Sequence, residues 1–245
     1  MKKLFYLFTF ILAVTFAACD NGQPDWPSGD SNVPENPSNP NEPSNPNQPS
    51  EPSKPEDPAN GHEFVDLGLS VKWATCNVGA TKPEEPGDYY AWGEIELYNP
   101  SVYKWYEGDE ARFTKYCIDG EYGEVDNKIT LEFSDDVANV AWGGTWRMPT
   151  KSEQEELMNR CTWIWARKNG VSGYNVVGEN GNHIFLPQTG VYANPDFLEG
   201  PYGYYWSSSL YELSSCGYGL SFSEDLIQHF YYPRNMGLFI RPVLP

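Results

Sequence analysis

The side chains best suited to acid–base or metal chemistry are spread thinly along this sequence. His62, His183 and His229 stand far apart, with no metal-ligand spacing, and surface or loop roles are expected for them. Glu84-Glu85, Asp135-Asp136 and Glu155-Glu156 are chain neighbours whose carboxylates should point apart, so none reads as a glycosidase pair. There is no Gly-x-Ser-x-Gly elbow and no phosphate loop. Ser207 to Ser209 follow Trp206 in a stretch that reads as a packed strand. The expectation is a domain with no catalytic residue, no metal and no cofactor, hence not an enzyme.

The cysteines divide into two kinds. Lys2 and Lys3 precede an apolar run, Leu4 to Phe16, of thirteen residues, too short to span a bilayer and suited to an export signal. The run ends in Phe16-Ala17-Ala18-Cys19, which resembles the bacterial lipobox, in which the cysteine is lipidated and the signal is cut just before it. The other reading is an ordinary signal cut after Ala17 or Ala18. Lipidation at Cys19 implies a membrane anchor, in an outer-membrane lipoprotein facing either the cell surface or the periplasm; the surface is preferred, since a long stalk follows. The remaining four, Cys76, Cys117, Cys161 and Cys216, allow three two-disulfide pairings or free buried thiols.

Residues 20–60 form the stalk. From Pro34 to Pro58 every third residue is proline, which matches the three-residue turn of polyproline II. At about 3.1 Å per residue such a rod reaches about 75 Å as a semi-rigid spacer. Residues 61–245 are then one domain. Without Lys2, Lys3 and the stalk's eight acids and Lys54, the domain keeps 26 acidic residues against 13 Lys plus Arg, a formal charge of −13. That field repels phosphate backbones, so nucleic acid is not an expected partner.

Alternation from Leu69, ended by Gly79, predicts a first strand. Residues 80–130 read as loops and short strands. Ser134-Asp135-Asp136 predicts an N-cap and a short helix from Val137 to Val140. Thr150-Lys151-Ser152-Glu153 is a capping box that opens a helix over 151–161. Strands are predicted at Gly173 to Val177, His183 to Leu186, Tyr204 to Ser208, Tyr218 to Phe222 and Leu238 to Pro242. Helix early and strands late give an α+β domain.

Several segments are familiar together: Val65-Asp66-Leu67-Gly68 with Trp73-Ala74-Thr75-Cys76-Asn77-Val78-Gly79, Ala91-Trp92-Gly93-Glu94, Trp142-Gly143-Gly144-Thr145-Trp146-Arg147-Met148-Pro149-Thr150, Phe185-Leu186-Pro187, Tyr205-Trp206-Ser207-Ser208-Ser209 and Ile240-Arg241-Pro242-Val243. They resemble the Fibrobacter succinogenes major paralogous domain, a family common in lipoproteins of Bacteroides-like bacteria, over nearly all of 61–245. The resemblance implies a C-type-lectin-like single domain with short antiparallel strands, one or two short helices and long loops. It also implies first and last strands lying together, and kinship to formylglycine-generating enzymes. Those enzymes use a cysteine pair, whereas Cys216 stands alone in its region, so that activity is not carried over.

By the same resemblance Asn194-Pro195-Asp196 matches one half of a lectin calcium motif. Trp206-Ser207-Ser208 lacks the ligands of the other half, so a turn is the plainer reading. A calcium-free contact surface can instead be built from rings in the irregular stretches. The candidate binding residues are Tyr98, Trp105, Tyr106, Tyr192, Asn194, Asp196 and Tyr202; Tyr103, Phe197, Tyr231 and Tyr232 are of the same kind. Self-packing is the competing role for each ring. Trp73, Trp142, Trp146 and Trp206 are assigned to the core. The sequence thus points to a non-catalytic binding domain for a glycan or surface-protein ligand. A structural envelope or pilus-associated subunit, or an enzyme of the formylglycine-generating type, are the alternatives.

Overall fold

The computed structural model describes residues 57–107, 112–193, 196–198 and 200–245. The signal with Cys19, the stalk as far as Glu56, and Asn194 lie outside them, as do the side chains of Asp196 and Phe197.

Both helices begin where side chains take up otherwise unpaired backbone donors. Asp136 caps α1 (Val137–Trp142) by accepting from the Ala138 and Asn139 amides, while its other oxygen accepts from the Met148 amide at 2.8 Å. The capping box forms as predicted at α2 (Lys151–Arg160). Thr150 Oγ1 accepts from the Glu153 amide, and the Glu153 carboxylate accepts from the Thr150 amide. Arg147 grips that carboxylate with both terminal nitrogens, at 2.8 and 2.6 Å. Because Glu153 stays held by Arg147, Thr150→Ala should lose only the single cap bond, about 1 kcal/mol. A thermal melt of the variant would read this as a drop of a few degrees.

The strands pair antiparallel in small sheets. Phe64–Val65 (β1), Lys72–Ala74 (β2) and Val243–Leu244 (β13) form one sheet in the order β1-β2-β13, with β2 in the middle and the first and last strands on either side of it. Tyr106–Glu107 (β3) pairs with Arg112–Phe113 (β4). Thr162–Lys168 (β5), Val171–Val177 (β6) and His183–Pro187 (β7) form a meander. Asn169 and Gly170 close its first turn at φ 48° and 90°, as a two-residue hairpin with both residues left-handed requires. Val191–Ala193 (β8) pairs with Asp196–Leu198 (β9). Gly203–Leu210 (β10), Cys216–Ser223 (β11) and Leu226–Pro233 (β12) form the last sheet. The domain is α+β, with short antiparallel strands, two short helices and long connections.

Several expectations are corrected. The strand predicted from Leu69 to Gly79 is regular only over Lys72–Ala74; beyond it the Val78 amide bonds singly to the Ile240 carbonyl. The strand predicted over Leu238 to Pro242 is a series of isolated bridges from Gly237 to Phe239, with Tyr192, Tyr90 and Tyr205 as partners, followed by β13. Arg241 and Pro242 interrupt it: Arg241 turns its side chain inward, and proline has no amide to donate. β1, β5, β8, β9 and β12 are strands where none was predicted. α2 stops at Arg160, and Cys161 is its extended C-cap.

Two large apolar clusters flank the β10-β11-β12 sheet. One holds Trp92, Trp142, Trp146, Trp206 and Leu238; the other holds Trp73, Leu157, Tyr205, Phe222 and Phe239. The four tryptophans assigned to the core are all buried. Residues 57–60, read as the end of the stalk, are packed on the first cluster. Ala59 is buried, its carbonyl accepts from Trp146 Nε1 at 2.7 Å, and Pro58 O accepts from the Thr145 amide.

Candidate functional site

The chain from Gly237 to Leu238 is the seam on which a site is assembled. Its Leu238 exchanges both backbone bonds with Tyr90, at 3.1 and 3.0 Å, and its Gly237 exchanges both with Tyr192, at 2.9 and 3.0 Å. Tyr89 and Tyr192, about a hundred positions apart, are thereby brought ring to ring with centroids 4.6 Å apart at 90°. The Tyr98 amide donates to the Tyr89 carbonyl, which folds 97–100 back so that the Tyr98 ring lies 5.3 Å from that of Tyr192. Tyr89 is backed by Phe239 at 4.0 Å, and its hydroxyl donates to Thr189 O at 2.9 Å. Burial pushes that phenol well above its ordinary pKa, so it is a fixed donor near neutrality.

Between these rings and the Leu97–Pro100 turn lies a groove of about 370 Å³, lined by Asp88, Tyr89, Leu97, Tyr98, Pro100 and Tyr192. Leu97 stands 61 % exposed at its rim. Two glycines make the walls. A Cβ on Gly79 (φ 80°) would sit 2.2 Å from Asp88 Oδ2, so that carboxylate lies directly against bare backbone. A Cβ on Gly237 would come within 2.7 Å of the Tyr98 ring. Gly237→Ala is therefore expected to displace Tyr98 and reshape the groove while the core melts cooperatively. The check is near-ultraviolet circular dichroism, which should change in the tyrosine region while the far-ultraviolet spectrum holds.

Of the candidate residues whose side chains the structure describes, it brings Tyr98 and Tyr192 together in the groove. It places Trp105, Tyr106 and Tyr202 elsewhere. Trp105 donates from Nε1 to Gly93 O at 3.1 Å, with Lys104 Nζ 4.2 Å over its ring. Tyr106 packs on Tyr103 and Phe113, at 4.9 and 5.0 Å. Those rings surround Arg234, whose fully buried guanidinium lies 4.5 Å from Phe113 and 4.9 Å from Trp92. Arg234 Nε donates to Tyr103 Oη, and its terminal nitrogens donate to the carbonyls of Tyr116, Ser214 and Lys115. Tyr202 turns its ring toward Tyr204, 5.8 Å away, while its carbonyl accepts from the Thr189 and Gly190 amides. Tyr103 and Tyr232 are buried. Tyr231 is exposed, stacked on Tyr211 at 4.1 Å. Asp88, Tyr89, Leu97 and Pro100 are the groove residues missed by sequence reasoning; Tyr89 borders the Ala91-Trp92-Gly93-Glu94 motif, which was the available signal.

No family model, curated protein or solved structure matches this chain.

The remaining reactive groups are held in structural contacts. Cys76, Cys117, Cys161 and Cys216 are free thiols, and burial pushes Cys161 up to about 11 and raises Cys216. His62 stacks flat on Trp142 at 4.0 Å, and His183 is exposed at the start of β7. His229 departs from the surface or loop role expected of it: it sits half-buried in β12, its Nε2 3.1 Å from Gln154 Oε1 on α2. Asp135 and Asp136 point apart as expected, the first to Tyr116 Oη and Lys115, the second to the α1 cap. Among the described residues no group of three or more His, Cys, Asp or Glu is placed to hold a metal.

Proposed function

We propose that the chain is an outer-membrane lipoprotein, anchored through Cys19, that presents a non-catalytic binding domain at the cell surface for a glycan or protein ligand. The domain is proposed to belong with the Fibrobacter succinogenes major paralogous domains it resembles. The observation that supports a binding role is the groove of Tyr89, Tyr98 and Tyr192. Three rings, packed edge-to-face and tilted on one another, meet at an open surface with a carboxylate at their edge, and backbone seams hold them in place. Pre-set aromatic faces with a few polar groups are what a small ligand site requires. The test is binding of the full chain to glycan arrays and to defined peptide arrays, with Tyr98→Ala and Tyr192→Ala as controls. Ligands whose binding both substitutions abolish support the reading; a chain that binds nothing, or binds equally in both variants, overturns it.

A second reading, a structural envelope subunit, is favoured by β12. This is an edge strand of its sheet with Leu226, Phe230 and Tyr231 exposed at 43 %, 45 % and 37 %. Proteinase K treatment of intact cells separates the two. Loss of the domain while a periplasmic control survives supports surface presentation, and protection supports the envelope role.

A further inference from the structure

We infer that the groove receives the guanidinium group of an arginine side chain carried by a partner polypeptide. This rests on the binding reading above and names its ligand.

Charge points first to a cation. Among the described residues lining the groove, the charge is carried by Asp88. The fields of Asp88 and Glu96 both bear on the adjacent Tyr90 hydroxyl, which burial, Asp88 and then Glu96 push up to about 12. The ring faces add their own negative potential, and the domain as a whole carries −13. A phosphate or carboxylate ligand would meet repulsion from Asp88 and from the ring faces.

Shape then selects among cations. A bulky ammonium is best held in a cage of separated rings. Here the centroids are 4.6 and 5.3 Å apart, with Tyr89 at 90° to Tyr192 and Tyr98 tilted 34° to it, so the rings pack on one another and leave no cage between them. Without a cage, a flat cation laid against one ring face is the better fit. Guanidinium lies face-on against an aromatic ring and keeps its edge donors for a carboxylate, which takes two of them side by side. The volume, near the lower limit for small-molecule sites, accepts one side chain and not a helix.

The molecule already holds a guanidinium this way. Arg234 is packed among Phe113, Trp92, Tyr103 and Tyr116 at 4.5 to 5.9 Å, and its Nε donates to a tyrosine oxygen. The groove is an open version of that environment with a carboxylate added.

The test is ligand-observed saturation-transfer NMR on the full chain in detergent. The probes are N-acetyl-arginine methylamide, its lysine and citrulline analogues, and a set of methyl glycosides. Arginine should bind, lysine several-fold more weakly, and neutral citrulline about tenfold more weakly. Asp88→Asn should cut arginine binding about tenfold, Tyr98→Leu should weaken it, and added salt should weaken it further. Citrulline is tested on the unaltered chain, so the result stands even if a variant misfolds. Citrulline binding as well as arginine, or Asp88→Asn leaving arginine unaffected, overturns the inference. Methyl glycosides that bind in a Tyr98-dependent way while arginine does not would overturn it and leave the groove as a binding site. A groove to which neither binds would count against both.

Discussion

Arg241→Met is expected to lower the unfolding free energy by about 3 to 5 kcal/mol, read as a fall in denaturation midpoint at unchanged slope. Arg241 is fully buried, with no carboxylate among its hydrogen-bond partners. Its Nε donates to Asn77 Oδ1 at 2.7 Å, and its terminal nitrogens donate to the carbonyls of Ala74, Thr75 and Phe185. Methionine fills much of the volume and removes a desolvated charge, which acts in the variant's favour. The outcome is decided by what cannot be mutated away. The Ala74 and Phe185 carbonyls and the Asn77 oxygen stay buried, with the Thr75 carbonyl partly so, and each orphaned buried acceptor costs about 1 kcal/mol or more. Arg241→Lys should fall between, since one ammonium cannot reach acceptors on three segments at once. A methionine variant as stable as the parent would show that those carbonyls rehydrate.

The second large effect is at Asp136, and it carries a pH signature. Asp136→Ala strands the amides of Ala138, Asn139 and Met148 and is expected to cost about 3 kcal/mol. Burial raises the Asp136 carboxyl to about 6, against the three amide bonds and Arg147 that favour its charge. From about pH 4 to 6 the folded state therefore keeps a proton that the unfolded chain has released, and stability falls as pH rises. His229 acts in the opposite sense. Burial lowers it to about 4, so below about 6.5 the unfolded chain takes up a proton that the folded state refuses, and stability rises with pH. The two slopes oppose each other between about pH 4 and 6, so in the parent these two groups largely offset one another there. Asp136→Asn removes one of them, so its stability should climb with pH through that window. His229→Gln should do the reverse. Denaturant titrations at several pH values would show both slopes, and parallel curves for all three proteins would refute the assignment.

Legibility in the sequence followed the distance over which each feature is decided. The capping box at Thr150 and Glu153 and the Asp136 cap are contacts within a few residues, and both were readable. β6, β7, β10 and β11 carry enough alternation to be found. β5 ends in Arg167 and Lys168 and follows α2 without a break, so its pattern was obscured. Its clearest signal was the Asn169-Gly170 pair, the dipeptide that a tight hairpin requires. β12 exposes Phe230 and Tyr231 at an edge and so lacks a clean buried face. The groove depended on pairings between segments far apart in the chain, Tyr90 with Leu238 and Tyr192 with Gly237. Nothing local to Tyr98 or Tyr106 tells which ring faces a groove and which is packed near a buried arginine. That difference was set by Arg234 and Gly237, far along the chain.

The docking of residues 57–62 determines how the domain bears load. Asp57 accepts from the Ala59 and Gly61 amides, Asn60 Nδ2 donates to Trp142 O, and His62 lies flat on Trp142. A pull on the chain ahead of Asp57 is therefore met first by the bonds at Thr145 and Trp146, and only then by β1. These contacts act as a strain relief, like the grip where a cable enters its housing. The groove is built on another seam, at Tyr90, Tyr192 and Gly237, and so stays off the first line of tension. With the anchor and ligand proposed above, a tug on the chain ahead of Asp57 would load the Thr145 and Trp146 bonds before it reached the groove.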